Sequence, residues 1–130
     1  MASQPVFPYM VPASQFLAWW QRVVELEAEL PEEMSEFEWL SRGQPIRALL
    51  SDLVDVGIAA GAVIPYARDN PDGSIEFGER IVPDFDWEHG EIDFQARRHL
   101  WSDGIDRAPS LVARLVKTTG IPEDPEGRLS

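Results

Sequence analysis

Residues 45–77, PIRALLSDLVDVGIAAGAVIPYARDNPDGSIEF, carry two periodicities on either side of Gly61, and the change between them decides the fold class. Before Gly61, Ile46, Leu49, Leu50, Leu53, Val54 and Ile58 recur at helical spacing as one apolar stripe, with Asp52 and Asp55 off its centre. Pro45 suits the first turn of that helix, where a missing N–H costs little, and Gly57 and Gly61 are expected to punctuate its end. After Gly61 the period shortens. Residues 63–66 read as a strand, residues 69–73 are a cluster of turn formers, and Ile75 and Phe77 alternate with polar neighbours as the returning strand. Ile81 and Val82 extend it beyond Gly78, where a bulge or bend is expected, and Pro65 and Pro83 suit strand edges or ends.

Working outward, Ser14 offers a cap for a helix in which Phe16, Trp20, Val23, Val24 and Leu30 recur, ending at Pro31. Ser35 and Glu38 have capping-box spacing and start a short helix that Gly43 closes. Downstream, Phe85 and Trp87, then Ile92 and Phe94, predict a second hairpin around residues 88–90. Residues 96–106 have no clear period. Pro109 opens a last helix with Leu111, Val112, Leu115 and Val116 as its stripe and Gly120 as its stop, with Ile121 packing back on the cap. The expected product is one α+β domain over residues 1–130, made of N-terminal helices, a small mainly antiparallel sheet of hairpins and a C-terminal helix. Residues 1–12 read as a Pro-rich arm and residues 122–130 as a flexible acidic tail.

Composition narrows the function. The chain has 130 residues, 44% of them hydrophobic, with five Trp and six Phe, enough bulky apolar surface for an independently folded core. It has no cysteine, which removes disulfides, thiolate metal sites and cysteine nucleophiles. The first residues lack the pattern of a signal peptide and no stretch is long and apolar enough to span a bilayer, so a cytoplasmic protein is expected. With 23 acidic against 11 basic residues the net charge is −12, a field that repels nucleic-acid backbones and anionic lipid and attracts cationic partners. Such charge also serves plain solubility.

Motifs for catalysis are missing. Asp84, Asp86 and Glu88 alternate like the start of a calcium loop, but His89 occupies the obligatory glycine position and Gln95 the closing glutamate position. His89 and His99 are ten residues apart, without metal-pair spacing. No nucleophile elbow, phosphate loop or dinucleotide fingerprint occurs, so neither an enzyme nor a cofactor is expected. The densest feature is the run Glu25, Glu27, Glu29, Glu32, Glu33, Glu36, Glu38, which reads either as the wet side of two amphipathic helices or as a docking face for Arg and Lys. Trp19 and Trp20 point about 100° apart on a helix, leaving one of them as a potential interface anchor.

Residues 25–43, ELEAELPEEMSEFEWLSRG, resemble the SUKH superfamily, in which a Glu-bearing helix, Leu-Pro, and an acidic helix with an aromatic residue and a closing glycine follow one another. Leu30-Pro31, Phe37 and Gly43 are the matching positions. Residues 63–73 look like the family's strand and turn, and residues 106–116 are similar to its final helix. The family's Asn-Gly is replaced by Arg42-Gly43, and the long helix over 45–60 is a further departure. The resemblance implies an immunity-type protein that binds a toxin and blocks its site without catalysis. The expected function is therefore an acidic inhibitor of a basic protein partner such as a nuclease toxin, touching it through Glu32, Glu33, Glu36 and Glu38 and, as a second set, Asp69, Asp72, Asp84 and Asp86. Three alternatives use the same features: a virion structural or assembly component, a nucleic-acid mimic acting against a defence system, and an enzyme built from Asp84, Asp86, His89 and His99.

Overall fold

The structure is a computed structural model that describes residues 9–95 and 108–123. The chain is α+β: β1 (Met10–Pro12), α1 (Ala13–Ala28), α2 (Glu36–Glu38), a π-helical turn (Trp39–Gly43), α3 (Gln44–Ala60), β2 (Val63–Asp69), β3 (Ile75–Ile81), β4 (Glu91–Asp93) and α4 (Ala108–Thr119). Its strands form two separate antiparallel pairs, β1 with β4 and β2 with β3.

The core lies where α1, α3, α4 and the β1–β4 pair meet. Phe16, Trp19, Trp20 and Val23 project from one side of α1, Leu49, Leu53 and Val56 from α3, and Leu111, Val112 and Leu115 from α4. Phe16 is its centre, stacked at 6.1 Å on both Trp20 and Trp87 and edge-on to Phe94 at 6.2 Å. Both adjacent tryptophans are buried, so neither is an interface anchor; the Trp19 indole donates to the Ile121 carbonyl at 3.0 Å and pins the end of α4 to α1. Arg114 adds a partly screened pair with Asp52 at 3.0 Å, joining α4 to α3.

Several local expectations change in three dimensions. Met10–Pro12 is not part of a free arm but a strand, with Val11 buried opposite Ile92, while residues 1–8 lie outside the described residues. In the tail, Tyr9 donates its hydroxyl to Glu123 at 2.9 Å; residues 124–130 lie outside the described residues, as do residues 96–106 with His99 and Trp101. The second hairpin does not form. Pro83 cannot donate to a ladder, and residues 83–90 instead make tight turns, with Trp87 N–H on Phe85 O at 2.8 Å and Gly90 N–H on Asp86 O at 2.8 Å. Phe85 and Trp87 pack on each other at 4.9 Å, the Trp87 indole donates to Val82 O, and the strand 91–93 is left to pair with β1.

The short helix begins as read, since Ser35 and Glu38 cap each other reciprocally, but Gly43 does not close it. The chain runs on through the π turn into α3, with Gln44 N–H reaching back to Trp39 O. Pro45 explains the wider turn: it has no N–H for the Ser41 carbonyl and its ring crowds that carbonyl, so the backbone opens by one residue. Gly43 is needed there because a Cβ would sit 2.6 Å from the Trp39 ring. Gly57 likewise ends nothing; it lies buried within α3, 2.3 Å from Val63 Cγ2 by the same measure. Gly78 makes no bulge, because the β2–β3 register is continuous and the Tyr66 ring lies over it. Gly61 at φ +76° and Gly120 at φ +74° do end their helices in the left-handed conformation.

Candidate functional site

The first set of predicted contact residues is kept together. Glu32 and Glu33 are exposed between α1 and α2, and Glu36 is exposed on the first turn of α2. Glu38 differs: its carboxylate accepts from Ser35 N–H at 3.4 Å and the Ser35 hydroxyl at 3.2 Å, so it is committed to the cap. Beside them stand two large apolar side chains left largely exposed, Phe37 at 79% and Leu40 at 54%.

The second set is split. Asp69 ends β2 and Asp72 lies in the turn of the hairpin, whereas Asp84 and Asp86 follow its root. A strand of seven residues separates the two halves by about 20 Å. Asp72 shapes the turn, accepting from the Ser74 hydroxyl at 2.6 Å and the Ser74 N–H at 2.9 Å; these bonds hold its carboxyl below the usual aspartate range. Asp86 accepts the His89 N–H at 2.9 Å, and the exposed imidazole sits 3.7 Å from Asp86 and 3.8 Å from Glu88. Among the described residues no three His, Asp or Glu side chains converge on a common point suited to a metal ion.

The groove between the end of α1 and the outer side of α3 was not read from the sequence. It consists of two open hollows of about 480 and 490 Å³ that share Glu27 and Arg47. The first has Leu30, Met34 and Trp39 as apolar lining and Glu27 and Glu32 at its rim; Arg47 lies over the Trp39 ring at 5.1 Å and faces Glu27 at 3.9 Å. The second is floored by Leu50 and Val54 and bounded by Asp55 and Glu79. The half-buried state of Leu50 and Val54 shows that the α3 stripe is wider than the core needs. A stripe of six apolar residues was the available signal, since a surface helix seldom carries more than its core-facing arc.

The exposed apolar face of the predicted hairpin is the other feature the sequence did not announce. Its β2–β3 register sets Pro65, Ala67, Ile75 and Phe77 on one face beside Asp69 and Glu79, and Phe77 is 76% exposed and Ile75 53% exposed. The opposite face carries the Arg68–Glu76 pair at 2.8 Å, with Tyr66 donating to Glu76 at 3.4 Å. No protein-family model, curated protein or solved structure matches this chain. Among the described residues no helix is long and apolar enough to cross a membrane.

Proposed function

We propose that this protein is a binding protein that inhibits a basic protein partner, in the manner of an immunity protein, by seating the acidic segment 27–38 on the partner's cationic site. The observation that carries the reading is the juxtaposition of Glu27, Glu32, Glu33 and Glu36 with the exposed Phe37 and Leu40 and the Trp39-lined hollow. An apolar anchor ringed by like charges suits a partner of opposite charge better than it suits solvent alone, because burial of Phe37 and Leu40 supplies affinity while the carboxylates steer encounter. The net charge of −12 extends that steering over the whole molecule.

In this reading Glu32, Glu33 and Glu36 are contact residues and Glu38 is a positioning residue that keeps α2 formed. The SUKH resemblance points to the same class of function. A purified basic effector encoded beside this chain, assayed with rising amounts of the protein, should lose activity stoichiometrically at low salt and recover it as salt is raised. Unaltered effector activity at saturating protein would overturn the proposal.

A further inference from the structure

We infer that two copies of this chain pair through the free edge of β3, antiparallel about a two-fold axis at Gly78. The hairpin leaves one row of backbone groups on β3 unused. Asn70 N–H donates to Ser74 O at 2.9 Å and Val82 N–H to Ala62 O at 2.8 Å, and the register between them pairs Ile64 with Arg80, Tyr66 with Gly78 and Arg68 with Glu76. In an antiparallel ladder these alternate positions exchange the hydrogen bonds, so the N–H and C=O groups of Ile75, Phe77, Glu79 and Ile81 point out of the hairpin. On β2 the outward position paired with Glu79 is Pro65, which has no N–H to offer; that edge is blunted. The β3 edge has neither proline nor lysine, and beyond Ile81 at its root β3 packs, among the described residues, substantially on β2 alone.

The sequence of β3, Ile75-Glu76-Phe77-Gly78-Glu79-Arg80-Ile81, is complementary to its own reverse at the Ile75–Ile81 and Glu76–Arg80 positions. With the axis at Gly78, Ile75 stands opposite Ile81 of the second copy and Phe77 opposite its Glu79, which are the outward-pointing positions and so exchange hydrogen bonds. Glu76 stands opposite Arg80 of the second copy at the closer-spaced type of pair, where opposite charges favour association. Arg80 has no ion-pair partner within the described residues. Two glycines meet on the axis, leaving room for the two Tyr66 rings that already cover them. The pairing also accounts for Phe77: on the face it shares with Glu79 it is carried to the mouth of the second copy's hollow over Leu50 and Val54, of which Glu79 is a wall.

This inference does not depend on the inhibitory reading, and salt separates the two. Each copy carries −12, so screening strengthens self-association while it weakens binding of a cationic partner. Sedimentation equilibrium from micromolar to millimolar protein at low and high salt should give a monomer–dimer equilibrium that tightens with salt. Glu76→Arg and Arg80→Glu should each weaken it by roughly tenfold or more, since each sets like charges opposite one another twice. An equimolar mixture of the two variants should largely restore it, because each position 76–position 80 pair between the copies is again opposite in sign; Arg80→Glu is the cleaner single variant, since Glu76→Arg also sets two arginines opposite one another within its own hairpin at Arg68. Circular dichroism checks that the variants are folded, and Glu79→Pro, which removes an outward N–H that the hairpin does not use together with the carboxylate opposite Phe77, replaces any that is not. A monomer at every concentration and salt, charge variants that associate like the wild type, or a mixture no tighter than its components would each overturn the proposal.

Discussion

The body and the β2–β3 hairpin, the arm of the fold, both carry apolar residues in a regular pattern, and the two sets end in opposite places. In the body, Phe16, Trp19, Leu53 and Phe94 are wholly buried; in the arm, Ile75 and Phe77 alternate just as regularly and remain exposed. Alternation therefore reports a face and not burial. An isolated two-stranded ribbon has only one layer and gains independent stability by packing on another element. Here α3 supplies that layer only at the root, through Val63 against Gly57. The body is a finished core, and the hairpin is a surface for which the described residues supply no second layer beyond its root.

Substitutions sharpen this contrast from the largest effect downward. Phe16→Ala removes the ring on which Trp20, Trp87 and Phe94 converge and should cost about 3–5 kcal/mol in denaturant unfolding. A loss below about 1 kcal/mol would show that the body is less tightly packed than described. Gly57→Ala drives a methyl group into Val63 at the joint between body and arm and should cost about 1–3 kcal/mol. Ser35→Ala removes the capping hydroxyl of α2 and should cost about 1 kcal/mol.

In the arm the same kind of change should barely register. Phe77→Ser should alter stability by no more than about 0.5 kcal/mol while abolishing self-association, the reverse of the body's behaviour. The smallest effect belongs to Asp72. Because its native carboxyl titrates below the usual range, its contribution to the turn is complete above the unfolded aspartate value and is lost as pH falls through the lowered native one. Asp72→Asn should remove that slight acid dependence, measurable as amide exchange at Ser74, and leave the neutral-pH melting of the body unchanged.

The elements that were legible from sequence are those whose signals are local. The α3 stripe, the hairpin turn, the Ser35–Glu38 cap and the stop at Gly120 each depend on neighbours within a few positions, and each stands where it was read save that Asp69 belongs to β2 and the turn closes between Asn70 and Ser74. What misled was long-range competition. Residues 91–93 alternate well enough for a hairpin, but Met10–Pro12 offered a partner about 80 positions away, consistent with the Tyr9–Asp93 bond at a separation of 84. Gly43, Gly57 and Gly78 looked like punctuation because glycine often ends elements; each instead admits a neighbouring side chain. For the candidate site, the run of glutamates marked the exposed acidic segment on which the proposed function rests, while Glu38 and Asp72 turned out to hold local structure. The groove of Glu27, Arg47, Leu50, Val54 and Glu79 draws on three elements, and no window of sequence contains it.

The acidic segment is tested most directly by parallel capture from the native host with tagged wild type and with a Glu32→Gln, Glu33→Gln, Glu36→Gln variant, each at low and high salt, with association rates then measured for whatever basic protein the wild type retains. The account predicts a basic protein retained at low salt, released at high salt, and bound by the triple variant roughly tenfold more slowly. A retained protein that is acidic or neutral, or one bound at equal rates by both forms regardless of salt, would contradict it.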